Sequence, residues 1–166
     1  LREAPNHLVI IGGGPIGIEM AQAHRRLGVP VTVIERQTIL QGHDAEHAQR
    51  LKTSLMNEGV NFFDQAEIVE VNHEPDAVTV TTKMAGEAHK IKGSHVLIAT
   101  GRRPNTQGLN LEAAGVSYGP EGIHVNAHLK TTNKKIFAIG DVLGGPLFTH
   151  AAGYQAGIVI KQACFK

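Results

Sequence analysis

The amino-acid sequence predicts an α/β fold: a parallel sheet with helices, a three-stranded antiparallel meander, and a second, incomplete unit. Three observations predict it. Between residues 8 and 63, short apolar runs alternate with helix-length segments that carry apolar residues at helical spacing. Between residues 68 and 91, short strand-like runs are separated by turn residues, and one of these runs, Val78 to Thr82, alternates and is rich in β-branched residues. Beyond residue 100, two clear strands and one good helix are predicted, too little to close a core.

A glycine motif joins the first predicted strand to the first predicted helix. Leu8 to Ile11 is an apolar run, and the segment GGGPIG follows it with glycines at the spacing G-x-G-x-x-G. Residues 16–27 then carry apolar side chains at helical spacing. A second apolar run, residues 29–34, ends at the acidic Glu35, 18 residues after Gly17. This order of strand, glycine turn, helix, strand and acid predicts a Rossmann-like, dinucleotide-binding unit.

The glycine turn has the residue types that a dinucleotide pyrophosphate needs. Gly12 permits the tight turn, Gly14 removes the Cβ that would obstruct the phosphates, and Gly17 permits close packing of the helix against the strand. Pro15 suits the first helical turn, where its missing N–H costs nothing. The helix N-terminus adds free N–H groups and a favourable dipole. The predicted cofactor contacts in this turn are Gly12, Gly13, Gly14, Pro15, Ile16 and Gly17.

Three charged residues bear on how a dinucleotide is bound. A carboxylate at Glu35 can accept hydrogen bonds from both ribose hydroxyls of the adenosine and would repel a 2′-phosphate, which favours NAD over NADP. The guanidinium of Arg36 opposes this preference if it pairs with such a phosphate, and is otherwise a solvated loop charge. Glu19, placed in the first helical turn, either complements the helix dipole or faces the nicotinamide half of the cofactor, and the sequence leaves both interpretations open.

The other elements of the first unit follow in order. Asp44 suits the N-cap of a second helix, Gly59 suits its end, and residues 60–63 form a third short strand. The apolar stripe of that helix comprises Ala48, Leu51, Leu55 and Met56. The meander is predicted from runs that begin at Ile68, Val78 and Ala88, and residues 95–100 form another buried strand that ends at Gly101.

Residues 101–166 differ in character. A short helix over 109–115, short strands over 123–125 and 136–139, and a final helix over 150–165 are predicted there. We therefore expect two parts, a nucleotide-binding domain in residues 1–100 and part of another domain in residues 101–166.

Composition and charge exclude several classes of function. The net charge of +1 favours neither nucleic acid nor an anionic membrane, and no apolar run approaches the ~18 residues of a membrane span. One cysteine, Cys164, excludes an internal disulfide, a CxxC pair and a zinc cluster, and it favours a reducing, cytoplasmic setting. The histidine pairs His43/His47 and His124/His128 lack a ligand pattern, so we expect no metal site, and no catalytic side chains are predicted.

Taken together, the motifs resemble those of the pyridine nucleotide-disulfide oxidoreductases, a flavoprotein family that includes dihydrolipoamide dehydrogenase, glutathione reductase and mercuric reductase. The segments that carry the resemblance are spread over almost the whole chain: VIIGGGPIGIEMAQAHRRLG, VTVIER, ATGRRPN, FAIGDV and GGPLFTHAAGYQAGIV. The segment GPLFTHAAGYQAGIVI is most similar to the mercuric reductase-like and dihydrolipoamide dehydrogenase-like members.

The resemblance implies roles for single residues. Glu19 matches the nicotinamide-side glutamate of the family, and Ile68 matches an apolar position near the adenine. Gly101 matches a backbone contact to the nucleotide. Asp141 matches the carboxylate that bonds the ribitol of FAD, although a plain turn former is the other interpretation from the sequence, and Thr149 matches a residue beside the flavin.

The resemblance also implies partners that this sequence lacks. In the family, an FAD fingerprint and a redox CxxxxC disulfide precede the NAD domain, and a dimerisation domain with a catalytic His-Glu pair follows. We therefore expect a longer, homodimeric parent that passes a hydride from NADH to FAD and electrons on to a disulfide or another acceptor, and we expect no turnover by these 166 residues alone. The alternative is a stand-alone, non-catalytic dinucleotide-binding or redox-sensing module.

Overall fold

The computed structural model describes residues 3–165, which divide into two compact units between Gly101 and Arg102. Within its described residues, the first unit contains seven strands and two helices. In chain order they are β1 Leu8–Ile11, α1 Pro15–Arg26, β2 Val31–Ile34, α2 Ala45–Asn57, β3 Val60–Phe63, β4 Glu67–Glu74, β5 Ala77–Met84, β6 Glu87–Gly93 and β7 His95–Ile98.

The strands of the first unit form two sheets. One is a four-stranded parallel sheet of order β3-β2-β1-β7, and the other is a three-stranded antiparallel sheet of order β4-β5-β6. The predicted α/β fold, with its parallel sheet and antiparallel meander, is confirmed. The strand order runs from β1 to β3 on one side of β1 and continues with β7 on its other side, so the order reverses at β1. In α/β proteins, ligands bind at the carboxyl ends of the strands near such a reversal, which here includes the ends of β1 and β2.

The parallel sheet is covered on both faces by apolar side chains that alternate along β1. Leu8 and Ile10 pack with Ile18 of α1 and Leu55 of α2. On the opposite face, Val9 and Ile11 pack with apolar residues of the meander, namely Val78, Val80 and Ile91. The first unit therefore has three layers: helices, parallel sheet and meander.

Helix α2 has the predicted caps, and α1 ends in the same way as α2. The carboxylate of Asp44 accepts a hydrogen bond from the backbone N–H of His47 at 2.9 Å, which caps α2. Gly28 and Gly59, which follow α1 and α2, both adopt positive φ angles, of 89° and 91°. The guanidinium of Arg26 donates to both carboxylate oxygens of Glu58, at 2.8 and 2.9 Å, and this hydrogen bonding lowers the pKa of the Glu58 carboxyl.

Three expectations for the first unit are wrong in detail. Met56 is not part of the buried stripe of α2, since 52% of it is exposed. The strand β7 is not buried, because it lies at the edge of the sheet, where Ile98 is 66% exposed. Glu19 is the fifth residue of α1 and therefore lies beyond its first turn.

The second unit has less regular structure. It contains the two-residue strands β8 Tyr118–Gly119 and β9 Gly122–Ile123, a 3-10 helix over Gly140–Leu143, and the helix α3 Thr149–Cys164. A small core there comprises Leu111, Val116, Ile123 and Ala138. The final helix is confirmed, and no helix in the described range 3–165 is both long and apolar enough to cross a membrane.

Other predictions for the second unit are wrong. Residues 111–115 form turns, not a helix, and Asn110 before them has a positive φ of 52°, which breaks helical geometry. Within the described residues, the predicted strand 136–139 makes only an isolated bridge, from Phe137 to Lys130. The predicted strand 123–125 is shorter and pairs with β8, which the sequence analysis missed.

Candidate functional site

A cavity of about 600 Å³ opens at the carboxyl ends of β1 and β2, a volume within the usual range for small-molecule sites. It brings together most of the predicted cofactor contacts of the first unit. The residues that line it are Ile11, Gly12, Gly14, Pro15, Ile16, Ile34, Glu35, Arg36, Gln37, Thr38, Leu40, Gln41, Glu67, Ile68, Ala99, Thr100 and Gly101.

The glycine turn after β1 is packed so closely that two of its glycines admit no side chain. Gly12 has a φ of 111°, and a Cβ there would lie 2.4 Å from the carbonyl oxygen of Ala99. A Cβ on Gly17 would lie 2.0 Å from the carbonyl oxygen of Gly12. These contacts hold the start of α1 directly against the end of β1.

The second glycine of the motif, Gly14, faces open space. Apart from its chain neighbours, no heavy atom of the described residues lies within 4 Å of a Cβ placed on Gly14, which lines the cavity and is the N-cap of α1. Its φ of −73° is accessible to any residue, so backbone geometry does not require glycine there. An anion could therefore approach the N-terminal N–H groups of α1 over Gly14, where no side chain caps the helix and the helix dipole is favourable.

Glu35 lies directly after β2 and joins the wall of the cavity to the glycine turn. Its Oε2 accepts a hydrogen bond from the backbone N–H of Gly13 at 2.7 Å, and its Oε1 accepts one from the backbone N–H of Gln37 at 2.8 Å. The side chain is half-buried. Since each carboxylate oxygen has two lone pairs, two acceptor sites remain for a ligand in the cavity.

The rest of the lining combines apolar and polar side chains. Ile16, Leu40 and Ile68 contribute apolar surface, and Ile68 lies at the start of β4, before a bulge between Ile68 and Glu70. The loop after β2 contributes polar side chains, namely Arg36, Gln37, Thr38 and Gln41. Apolar side chains together with polar groups suit a ring system attached to a sugar.

Three predicted contacts of the first unit lie outside the cavity lining. Gly13 and Gly17 are buried behind the turn, where they act through its geometry. Glu19 is exposed on α1. Three lining residues were not predicted from the sequence, namely Gln37, Thr38 and Gln41. Their position shortly after the carboxyl end of β2 indicates a place near the ligand site of an α/β fold.

The predicted residues of the second unit lie near one another in the chain's last third. Asp141 is in the 3-10 helix, with its side chain about half exposed, and Thr149 is the first residue of α3. The guanidinium of Arg102 lies 3.5 Å from the Asp141 carboxylate and also donates to the carbonyl oxygen of Leu147. Arg102 thus links the 3-10 helix to the segment that leads into α3.

Two of the histidines singled out from the sequence, His47 and His124, lie beside carboxylates that are close to them in the chain. Within residues 3–165, no group of three or more His, Cys, Asp or Glu side chains is arranged to hold a metal ion. The ring of His124 bonds the carboxylate of Glu121 at 2.5 Å, which lowers the pKa of that carboxyl. His47 lies 3.6 Å from Asp44, the N-cap of α2.

Comparison with known proteins gives consistent matches along the chain. The family model for pyridine nucleotide-disulphide oxidoreductases matches residues 1–156. A mercuric reductase of Bacillus cereus is 38% identical over 165 residues, which are 98% of this chain and 26% of the relative. A dihydrolipoyl dehydrogenase of Geobacillus stearothermophilus is 39% identical over 163 residues, which are 97% of this chain and 35% of the relative.

A solved structure of a flavoprotein disulfide reductase also matches almost the whole chain. The HOCl-induced flavoprotein disulfide reductase RclA of Escherichia coli superposes with a TM-score of 0.89 and 32% identity, over 99% of this chain and 37% of that one. The chain therefore spans about a quarter to a third of the length of the proteins that it matches. The resemblance of the sequence motifs is confirmed, and the chain belongs to the pyridine nucleotide-disulphide oxidoreductase family.

Proposed function

We propose that the first unit is the NAD(H)-binding portion of a longer, FAD-dependent pyridine nucleotide-disulfide oxidoreductase. The observation that carries this proposal is the composition of the cavity wall. The cavity lining combines a tightly packed glycine turn, an open helix N-terminus, a carboxylate and apolar side chains, from residues that lie as far apart as Gly12 and Gly101 in the chain. A dinucleotide needs all four features at once.

Each part of the wall has a proposed role in binding. The pyrophosphate lies over Gly14 and takes hydrogen bonds from the free N–H groups at the start of α1, close to Pro15 and Ile16. The adenine packs against Ile68, and the backbone of Gly101 contacts the nucleotide. Domain boundaries follow from this assignment, with the NAD-binding domain in residues 1–100.

The same wall favours NAD over NADP. The two free acceptor sites on the Glu35 carboxylate suit the two ribose hydroxyls, whereas a 2′-phosphate would be repelled. Arg36 lines the cavity as well, but its side chain is exposed and its charge is screened by water, so its attraction for a phosphate is weaker than the repulsion by the half-buried Glu35.

The second unit is proposed to be the trailing portion of an FAD-binding domain. The half-exposed carboxylate of Asp141 has acceptor capacity for a sugar hydroxyl of FAD, and Thr149 would lie beside the flavin. NADH supplies a hydride to the flavin in such enzymes. We propose that Glu19, exposed on α1, faces the nicotinamide half of the cofactor, and that the parent is a homodimer.

Fluorescence titration with NADH and NADPH tests the proposed function. We expect saturable binding of NADH by the 166-residue chain and binding of NADPH at least about tenfold weaker, which corresponds to ~1.4 kcal/mol. In Glu35→Ser the carboxylate is removed, so the preference for NADH should shrink or reverse. Absence of NADH binding would contradict the assignment of the cavity, and tighter binding of NADPH would contradict the assignment of Glu35.

A further inference from the structure

We propose that Glu35 is a positioning residue for the glycine turn, in addition to the ribose contact, and that it holds the turn ready before any cofactor arrives. The inference rests on the proposed function, because it names a second task for a residue of the same site. It starts from the two short hydrogen bonds that the carboxylate accepts from Gly13 and Gln37.

The first of these bonds crosses between two segments that are distant in sequence. Gly13 lies in the turn after β1, and Glu35 lies after β2, 22 residues later. The N–H of Gly13 donates to the carboxylate, and at 2.7 Å the bond has the length of a charge-assisted hydrogen bond. The turn is thereby tied to the neighbouring strand of the sheet.

The second bond fixes the carboxylate itself. Oε1 accepts from the N–H of Gln37, two residues further along the chain, so the side chain is held from both of its oxygens. A side chain with both oxygens engaged has little rotamer freedom left to lose when a ligand binds. The carboxylate and the glycine turn are therefore held in place relative to each other before a ligand binds.

Packing beside Gly13 supports the same conclusion. A Cβ on Gly13 would lie 2.9 Å from Cγ2 of Ile39 and 3.1 Å from Cβ of Glu35. The absence of a side chain at this position lets the turn approach Glu35 closely enough for the hydrogen bond. In addition, the N–H of Leu40 donates to the carbonyl oxygen of Gly13 at 2.8 Å, so the peptide groups at Gly13 are held from two directions.

The consequence concerns engineered cofactor specificity. Replacing Glu35 to admit a 2′-phosphate would also remove the hydrogen bond to Gly13. The affinity for both NADH and NADPH would then fall, because the glycine turn that contacts the phosphates would be held less firmly. A residue that contacted only the ribose would have no such effect on the phosphates. The two roles can therefore be separated with a ligand that carries a phosphate but no adenosine ribose.

Amide hydrogen exchange of the ligand-free chain, followed residue by residue by NMR, is the primary test. We expect the Gly13 amide to be protected in the wild type and to exchange about tenfold faster in Glu35→Ala, while amides of β1 and β2 keep their rates. Glu35→Gln, which keeps one acceptor oxygen and nearly the same size, should give an intermediate rate. Glu70→Ala, an exposed glutamate outside the cavity lining, is the control for loss of one negative charge.

Binding of reduced nicotinamide mononucleotide, which lacks the adenosine ribose, is the second readout. Its affinity should fall about fivefold in Glu35→Ala and remain unchanged in Glu70→Ala. A Gly13 amide that exchanges in the wild type as fast as in an unstructured peptide overturns the proposal without any variant. An amide exchange rate at Gly13 that is the same in Glu35→Ala and the wild type also overturns the proposal, even if NADH binding weakens. Binding of NADH by the wild type is a separate measurement, which tests the proposed function.

Discussion

Replacing Gly17 by alanine should separate the packing role of this glycine from helix propensity. Gly17 is the third residue of α1, and inside a helix alanine is normally more favourable than glycine by ~0.5–1 kcal/mol. In this chain the added Cβ would lie 2.0 Å from the carbonyl oxygen of Gly12, whereas real Cβ atoms keep at least 3.0 Å from such a neighbour. The start of α1 must therefore move by at least about 1 Å.

The cost of this movement exceeds the gain in propensity. Overpacking of a close contact typically costs ~1–3 kcal/mol, and the neighbouring atom is backbone, which cannot rotate away as a side chain would. We expect a net loss of about 1–2 kcal/mol in the free energy of unfolding, measured by urea denaturation followed by circular dichroism. NADH binding should weaken as well, because displacement of α1 also displaces its N-terminal N–H groups.

Gly14→Ala is the matched comparison within the same motif. A Cβ on Gly14 meets no atom within 4 Å, and the φ of −73° suits alanine, so the loss of stability should stay below about 1 kcal/mol, the cost of a poorer N-cap. NADH affinity should nevertheless fall by about tenfold or more, since the methyl group would occupy the proposed path of the phosphates. Equal stability of Gly17→Ala and the wild type would refute the packing argument, and unchanged NADH affinity in Gly14→Ala would refute the location of the pyrophosphate.

Further predictions concern the framework that carries the site. Leu55→Ala removes a fully buried side chain of the core and should cost ~2–5 kcal/mol in urea denaturation, whereas Met56→Ala, at an exposed neighbour, should cost less than ~1 kcal/mol. Asp44→Ala removes the N-cap of α2 and should lower the free energy of unfolding by ~1 kcal/mol. Lys52 and Asp64 form an ion pair whose side chains are about 20% exposed. Lys52→Ala should therefore lower the free energy of unfolding by about 1–2 kcal/mol, and a double-mutant cycle with Asp64→Ala should show coupling. Additive effects of the two substitutions would contradict a stabilising ion pair.

The parts of the structure that follow from local chemistry were predictable from the sequence. The glycine turn needs residues within six positions of each other, and the caps at Asp44 and Gly59 need one residue each at a helix end. The continuous apolar run Leu8 to Ile11, which ends at the glycines, also predicts a strand. These features depend on sterics and hydrogen bonds between residues that are close in the sequence, so the residue types alone are enough to predict them.

Features that depend on distant neighbours were not predictable in the same way. The apolar run 95–98 has the composition of a buried strand, but its exposure follows from its place at the sheet edge. The hydrogen bond between Gly13 and Glu35 joins two segments whose approach is set by the pairing of β1 with β2. The helix predicted over residues 109–115 does not form, because Asn110 adopts a positive φ of 52° that the local sequence does not specify.

The most direct measurement of the central claim is an NMR titration of the isotope-labelled chain with NADH. We predict saturable shifts of the amide resonances that surround the cavity, at Gly14, Ile16, Arg36, Ile68 and Gly101, with small changes in the meander strands β5 and β6. Such a pattern would locate the cofactor at the carboxyl ends of β1 and β2. Shifts that do not saturate, or that are confined to residues 102–165, would contradict the assignment of this cavity as the NADH site.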